Sequence, residues 1–309
     1  MAATAAPLPA ITFAIPYYRN RVYLRQAIES VLAQTLDSWE LIVVDDAGPE
    51  PAGDLVASFN DERIRYVRNA SNLGLAGNWN ECLRNATAPL VTLLHADDRL
   101  LPAYAAEVVC AANAHPDVAA VFTDTVIIGP TGSPARSLPD MAKRLIGRPR
   151  GDHDVVGDAG LAGIAAGNYL FCPTLCYRTA SIDREPFDAR WKFVLDLDHI
   201  SRLLLSGRRL RAVRRPLYEY RRHEFNETAS MTADSQRFEE ELRFARELVE
   251  RADRMGWSRT ARAARRRLLV RAHLTIQMIS DLGRRRFAAG KQKGSLLLHD
   301  LGNRRRRHP

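Results

Sequence analysis

Apolar residues in this chain follow two alternating rhythms. Residues 11–15 are a short apolar run closed by Pro16, which fits a buried strand. Residues 23–34 place Leu24, Ala27, Ile28, Val31 and Leu32 at helical spacing and predict an amphipathic helix. Residues 40–44 form the next apolar strand, stopped by Asp45-Asp46-Ala47-Gly48. The same alternation continues with a helix around 54–59, a strand at 64–67 and a turn-rich stretch at 69–77. A helix near 78–85, a strand at 91–94, a helix at 102–114 and a strand at 119–128 follow. Such alternation predicts βαβ units, and so an α/β fold with a mostly parallel central sheet flanked by helices.

Between Gly129 and Gly160 the rhythm gives way to Gly, Pro and charged residues, as in a long loop or lid. It returns at 161–166 and 170–178, in a helix at 194–205 carrying Asp196 and Asp198, and in a strand entering a loop at 217–223. From Gln236 the chain reads as two or three Arg-rich helices ending in Arg304–Arg307. The domain reading is therefore a disordered N-terminus at 1–9, an α/β domain at 10–230 and a basic helical segment at 235–309.

Composition narrows the class. Of 309 residues, 46% are hydrophobic and 26% charged, as in a soluble globular protein. No apolar run approaches the roughly 20 residues that span a bilayer. Met1–Ala10 has no basic leader, so no secretory signal is expected. Cys82, Cys110, Cys172 and Cys176 lack zinc-site spacing and read as reduced thiols in a cytosolic protein. The net charge of +9 is unevenly placed. Residues 235–309 hold 20 Lys/Arg against 8 Asp/Glu, whereas residues 1–234 hold 25 against 28. The basic excess belongs wholly to the C-terminal segment, and no interleaved aromatics accompany it, so nucleic acid is not an expected partner.

Candidate chemistry gathers where strands end. Val91-Thr92-Leu93-Leu94 runs into His95-Ala96-Asp97-Asp98, delivering two adjacent carboxylates to a sheet edge. Such a pair suits a hard divalent cation, and it equally suits a turn. Tyr17-Tyr18 follows the first strand and Asp45-Asp46 the second. In parallel α/β sheets, ligands bind beyond the carboxyl ends of the strands, so three clusters on that rim suggest one site. There is no Gly-x-Gly-x-x-Gly and no P-loop to cradle phosphate.

Taken in order, several stretches resemble the family-2 glycosyltransferases. They are 15–20 (Ile-Pro-Tyr-Tyr-Arg-Asn), 27–35, 40–46, Asn72-Leu73-Gly74, His95-Ala96-Asp97-Asp98 and Asp196-Leu197-Asp198. The resemblance covers about residues 10–225. It implies a GT-A type nucleotide-sugar-binding fold and an inverting, metal-assisted enzyme, non-processive because channel helices are absent. The sugar would pass from a nucleotide-diphosphate donor (UDP, TDP or GDP) to a hydroxyl of a glycan or lipid-linked acceptor, as in bacterial cell-surface polysaccharide synthesis.

By the same resemblance Pro16 and Tyr18 border the base, Asp46 accepts from a base N–H and Asp45 supports that loop. Asn72 and Gly74 belong to the donor site. Asp98 binds Mg²⁺ or Mn²⁺, and Asp97 holds ribose or metal. His95 stands where the family often has a carboxylate, and Leu195 replaces a Glu before Asp196. Asp196 aligns with the general base. Arg221 and His223, in Tyr220-Arg221-Arg222-His223, meet the diphosphate oxygens or the metal, or form a basic surface loop.

Other features have two readings each. Trp79, Trp191 and Tyr169 stack on sugars or simply pack, and packing is the simpler reading. The sequon at 226–228 reads as chance. The Arg-rich tail binds an anionic membrane on the inner face of the plasma membrane, or forms a solvated helical face. A homo-oligomer is left open. Two rival functions remain, a sugar nucleotidyltransferase and a non-catalytic membrane-associated scaffold. The first normally needs a Gly- and Arg-rich loop after strand one, which Pro16-Tyr17-Tyr18 is not.

Overall fold

A computed structural model of the chain describes residues 8–135, 149, 151–167, 169–183, 185–223 and 235–305. The first seven residues, much of the expected lid (136–148), the sequon at 226–228 and Arg306-Arg307 lie outside the described residues, as do the Arg304 and Arg305 side chains. The elements run β1 (Ile11–Tyr17), α1 (Arg21–Leu32), β2 (Trp39–Asp45), α2 (Gly53–Ala57), β3 (Ile64–Arg68), α3 (Gly74–Asn85), β4 (Leu90–Leu93), β5 (Arg99–Leu100), α4 (Tyr104–Ala114) and β6 (Val118–Ile128). Then come β7 (His153–Val155), α5 (Gly157–Gly167), β8 (Cys176–Arg178), α6 (Leu195–Leu205), β9 (Arg209–Arg221), α7 (Gln236–Arg254), α8 (Ser258–Arg266), α9 (Leu268–Gly283) and α10 (Phe287–Arg305).

Contacts divide the chain into two compact units. The first comprises residues 1–157, 169–190 and 195–222. It holds a nine-stranded sheet in the order β3-β2-β1-β4-β8-β6-β9-β5, with β7 also paired to β9. β3, β2, β1 and β4 are mutually parallel. Their central strands are buried on both faces, which is why residues 11–15 and 41–44 read as continuous apolar runs rather than alternating ones. β8 enters antiparallel between β4 and β6, and β9 lies parallel to β6 but antiparallel to β5 and β7. This mixed half was not visible in the alternation. β9 begins at Arg209 rather than near 217, with half-buried arginines alternating with the buried Leu210 and Ala212.

Local chemistry sets the helix that follows β1. Asn20 caps α1 from a left-handed backbone (φ 72°), its side chain accepting from the Tyr23 amide at 3.1 Å. The predicted stripe Leu24, Ala27, Ile28 and Val31 is buried. Just beyond, Gln34 is buried and ties three elements together. Its Nε2 donates to the Ser30 and Leu101 carbonyls at 3.0 Å each, and its Oε1 accepts from the Ala105 amide at 2.8 Å. That last bond satisfies an orphan donor of the first turn of α4.

The second unit comprises residues 158–168, 191–194 and 223–309. Among its described residues the C-terminal segment forms four helices, not two or three. The extra breaks fall at Gly256 (φ +71°) and Arg267 (φ 47°), where the backbone turns left-handed. Glu240 on α7 accepts the amides of Lys192 and Phe193 at 3.0 and 2.8 Å, and Asp158 accepts those of Arg259 and Thr260 at 3.0 and 2.7 Å to cap α8.

His199, on α6 in the first unit, is buried between the Tyr177 and Phe187 rings with neither ring nitrogen hydrogen-bonded. Burial, aided by Arg202, lowers its pKa to about 3. The unfolded chain titrates this group near 6.5. The native state therefore binds fewer protons below that value, and stability is lost as pH falls from about 6.5 toward 3. One such group contributes a slope of at most about 1.4 kcal/mol per pH unit. Urea unfolding of His199→Leu should show a shallower loss between pH 7 and pH 5 than the native chain.

Candidate donor and catalytic site

The parallel register carries three polar clusters to one edge of the sheet. Tyr17 lies beside Asp45 across β1 and β2, and the Asp46 amide donates to the Tyr17 carbonyl at 2.8 Å. On the other side of β1, the Leu94 amide donates to the Ala14 carbonyl at 3.0 Å. Asp45-Asp46 and His95–Asp98 thus flank the end of β1, two strand spacings apart, roughly 10 Å.

The two carboxylates after β2 are used differently. Asp45 is fully buried and accepts from the Gly48 amide at 3.0 Å, the Tyr66 hydroxyl at 2.5 Å and Arg68 Nη1 at 2.7 Å. It locks the turn. Asp46 Oδ1 accepts from Asn69 Nδ2 at 2.9 Å and the Leu73 amide at 2.8 Å, so it draws the 69–73 loop against the sheet edge. Asn72 Oδ1 accepts from the Gly74 amide at 2.8 Å, where Gly74 starts α3 with φ +73°. Pro16 is half-buried and Tyr18 exposed on the same rim. Gly48 was not singled out in the sequence, yet a Cβ there would fall 1.7 Å from the Tyr18 carbonyl oxygen. Only glycine lets these two loops touch.

The cluster after β4 is built by a strand over a hundred residues away. β9 brings Tyr218 and Arg221 against the 97–98 turn. Asp98 is 1% exposed, and its Oδ2 accepts from the Tyr218 hydroxyl at 2.9 Å while Oδ1 accepts from the Arg221 amide at 2.7 Å. Burial first, and then the Asp97 charge, push the Asp98 carboxyl well above the usual range; the two hydrogen bonds oppose that shift. His95 packs on the Trp79 ring, its Nδ1 lying 3.8 Å from Asp98 Oδ2. Burial keeps it neutral by lowering its pKa, against the pull of Asp97. Its Nε2 is buried with no hydrogen-bond partner.

Donor atoms of His95, Asp97 and Asp98 all lie within 4.8 Å of one another. This set fits a divalent cation. It has two carboxylates for a hard ion and one neutral imidazole, and a cation would relieve the repulsion that raises Asp98. His95 therefore supplies the third possible ligand atom at the position where the resemblance left a doubt.

Arg221 differs from expectation. Its side chain is fully buried, with Nε donating to the Asp97 carbonyl at 2.6 Å, Nη1 to the Pro130 carbonyl at 3.0 Å and Nη2 to Gln26 Oε1 at 2.7 Å, over the Tyr23 ring. Four protein partners leave it a brace for the acidic turn rather than a group turned outward to a diphosphate. His223 sits two residues beyond, half-buried at the end of the described segment.

The α6 acids also divide. Asp198 is buried and paired with Arg202 Nε at 2.9 Å, an i,i+4 contact of a structural kind. Asp196 in the first turn is half-buried and lies near the Cys172 thiol. Burial, then Asp196, then Asp98 raise that thiol well above its ordinary value. Both carboxylates therefore act on the Cys172 thiol, although 98 residues separate them in sequence. Cys172 and Tyr218 carried no signal beyond residue type. Trp79, Tyr169 and Trp191 are all buried, in keeping with the packing reading.

Residues 12–164 match the profile of Glycosyl transferase family 2. Glycosyltransferase GlyA of Streptococcus pneumoniae serotype 4 is 33% identical over 90 residues, 28% of this chain and 13% of that protein. The Escherichia coli protein named UDP-Glc:alpha-D-GlcNAc-diphosphoundecaprenol beta-1,3-glucosyltransferase WfgD is 33% identical over 88 residues, 28% of this chain and 35% of that protein. The crystal structure of S. aureus TarS 1–349 in complex with UDP-GlcNAc covers 77% of this chain and 66% of that chain, with TM-score 0.61 at 17% identity, a likeness of fold. The first curated relatives are matched over less than a third of their own length. The chain carries a family-2 glycosyltransferase domain on a GT-A type nucleotide-sugar-binding fold.

The Gly48 contact makes a direct prediction. Gly48→Ala forces the Tyr18 loop away, and should cost about 1–3 kcal/mol of stability by urea unfolding, the usual range for overpacking.

Proposed function

We propose that this chain is an inverting glycosyltransferase that moves a sugar from a nucleotide-diphosphate donor to a hydroxyl of a glycan or lipid-linked acceptor. The observation that carries the reading is the pair of acidic turns, Asp45-Asp46 and His95–Asp98, that flank the end of β1 at one edge of the sheet; Asp196 joins the reading through the family resemblance. Tyr18, Pro16, Asn72, Gly74 and Asp46 form the end suited to a base, with Asp45 holding their turn. Asp46 has the acceptor chemistry to take a base N–H. The roughly 10 Å to the second cluster is on the scale of a nucleoside diphosphate. Asp98 and Asp97, with His95 beside them, would hold Mg²⁺ or Mn²⁺. When bound, the ion supplies Lewis-acid neutralisation of the diphosphate.

Asp196 takes the proton of the acceptor hydroxyl. The acceptor oxygen attacks the anomeric carbon opposite the diphosphate, a C–O bond forms, the C–O bond to phosphate breaks and the configuration inverts. Burial and then the nearby Asp196 raise the Cys172 thiol, so it keeps its proton beside that carboxylate. Burial of Arg221 and Tyr218 behind Asp98 fixes the other end. The printed name of WfgD describes a UDP-Glc donor and a diphosphoundecaprenol-linked acceptor, which supports UDP and a lipid-linked diphosphate as first candidates here. The UDP-GlcNAc in the TarS complex supports a uridine donor as well.

Two variants test the assignment. Asp98→Ala should abolish both sugar transfer and metal-dependent nucleotide binding. Asp196→Asn should retain nucleotide affinity while transfer falls at least about 100-fold, the scale of a lost general base. Unchanged turnover in either variant, measured by release of nucleoside diphosphate, rejects the role of that residue.

A further inference from the structure

The helices α9 and α10 are packed inside out. Between them lie ion pairs: Lys293 Nζ to Asp281 Oδ2 at 2.8 Å, with Lys293 only 1% exposed, and Arg271 Nη2 to Asp300 Oδ2 at 2.7 Å with Asp300 2% exposed. Of the large apolar residues on α9, only Leu274 is buried. Leu268, Ile276 and Ile279 are 65%, 62% and 60% exposed, and Leu269 and Leu282 are exposed too. With the exposed Ala272 these residues recur every three or four positions, so they form one continuous apolar stripe. It is roughly 20 Å long at the rise of an α-helix. Phe287, the first residue of α10, is 57% exposed as well.

Cations close both ends of this stripe. Arg266 lies before it, and Arg284, Arg285 and Arg286 lie after it, all exposed. None of the four pairs with an acidic side chain among the described residues. A second copy of the chain is a poor occupant for such a face. Pairing the stripe with itself, parallel or antiparallel, sets Arg against Arg at both ends. An anionic bilayer surface offers hydrocarbon to the stripe and phosphate to both arginine clusters. No helix among the described residues is long and apolar enough to cross a membrane, so this geometry suits a helix lying in the interface.

We infer that the α9 face bounded by Arg266 and Arg284–Arg286 docks the chain on anionic phospholipid. This goes beyond the donor-site reading and does not depend on it, because its readout is vesicle partition rather than sugar transfer.

The test is flotation of the full chain with vesicles of phosphatidylcholine alone, or with a one-third share of phosphatidylglycerol. The chain should float with the anionic vesicles only, and added salt should release it. Ile276→Asp with Ile279→Asp, both at exposed positions, should lower partition about tenfold or more without moving the melting temperature. Arg284→Glu, Arg285→Glu and Arg286→Glu together should do the same. Equal binding to neutral vesicles, or undiminished flotation of the Ile276/Ile279 variant, overturns the proposal. So does a dimer by light scattering that this variant dissolves, since the stripe would then be an interface between copies.

Discussion

The buried carboxylate of Asp98 is the constraint on which the first unit turns. A carboxylate 1% exposed is costly to desolvate, and the charge of Asp97 beside it adds to the cost. The fold offsets this with two donors from β9, the Tyr218 hydroxyl and the Arg221 amide. It then buries the Arg221 side chain to hold the same turn by its Asp97 carbonyl. What this leaves at the rim is a pair of carboxylates held in place, which suits a hard cation. An acidic turn that was free to relax into solvent would lose that pre-organisation.

Each acidic pair in this unit splits its labour. Asp45 is tied to Arg68 and Tyr66 while Asp46 faces the 69–73 loop. Asp198 is tied to Arg202 while Asp196 meets the Cys172 thiol. Asp45 and Asp198 hold the ionic partners, while Asp46 is held by the Asn69 side chain and the Leu73 amide. A pair of this kind is stable because the anchored member has its own hydrogen-bonding or ionic partner.

Much of this was legible in the sequence, for physical reasons. Parallel strands covered on both faces must be apolar throughout, so β1, β2 and β4 stood out, and the acids that stop β2 and β4 marked the candidate rim. The positions that close the site were not legible. Tyr218 and Arg221 reach Asp98 from 120 and 123 residues away, and Gly48 matters only because the Tyr18 carbonyl rests on it. Arg221 reads as a phosphate ligand by its charge, and the fold buries it against the Asp97 and Pro130 carbonyls and Gln26. β5 and β7 are two and three residues long, too short to carry a period. The basic tail was legible as charge, but not as a hairpin with ion pairs inside and leucines outside.

The central claim is that the rim from Asp46 to Asp98 is a metal-dependent nucleotide-diphosphate site. Thermal melting of the chain with UDP, GDP, TDP or CDP, each with and without Mn²⁺, tests it most directly. Binding to the native state alone raises stability by about 2.7 kcal/mol at a hundredfold excess over Kd, enough to shift a melting curve clearly. The account predicts a shift with one base that requires the metal. No shift with any nucleotide, or the same shift without Mn²⁺, would contradict it.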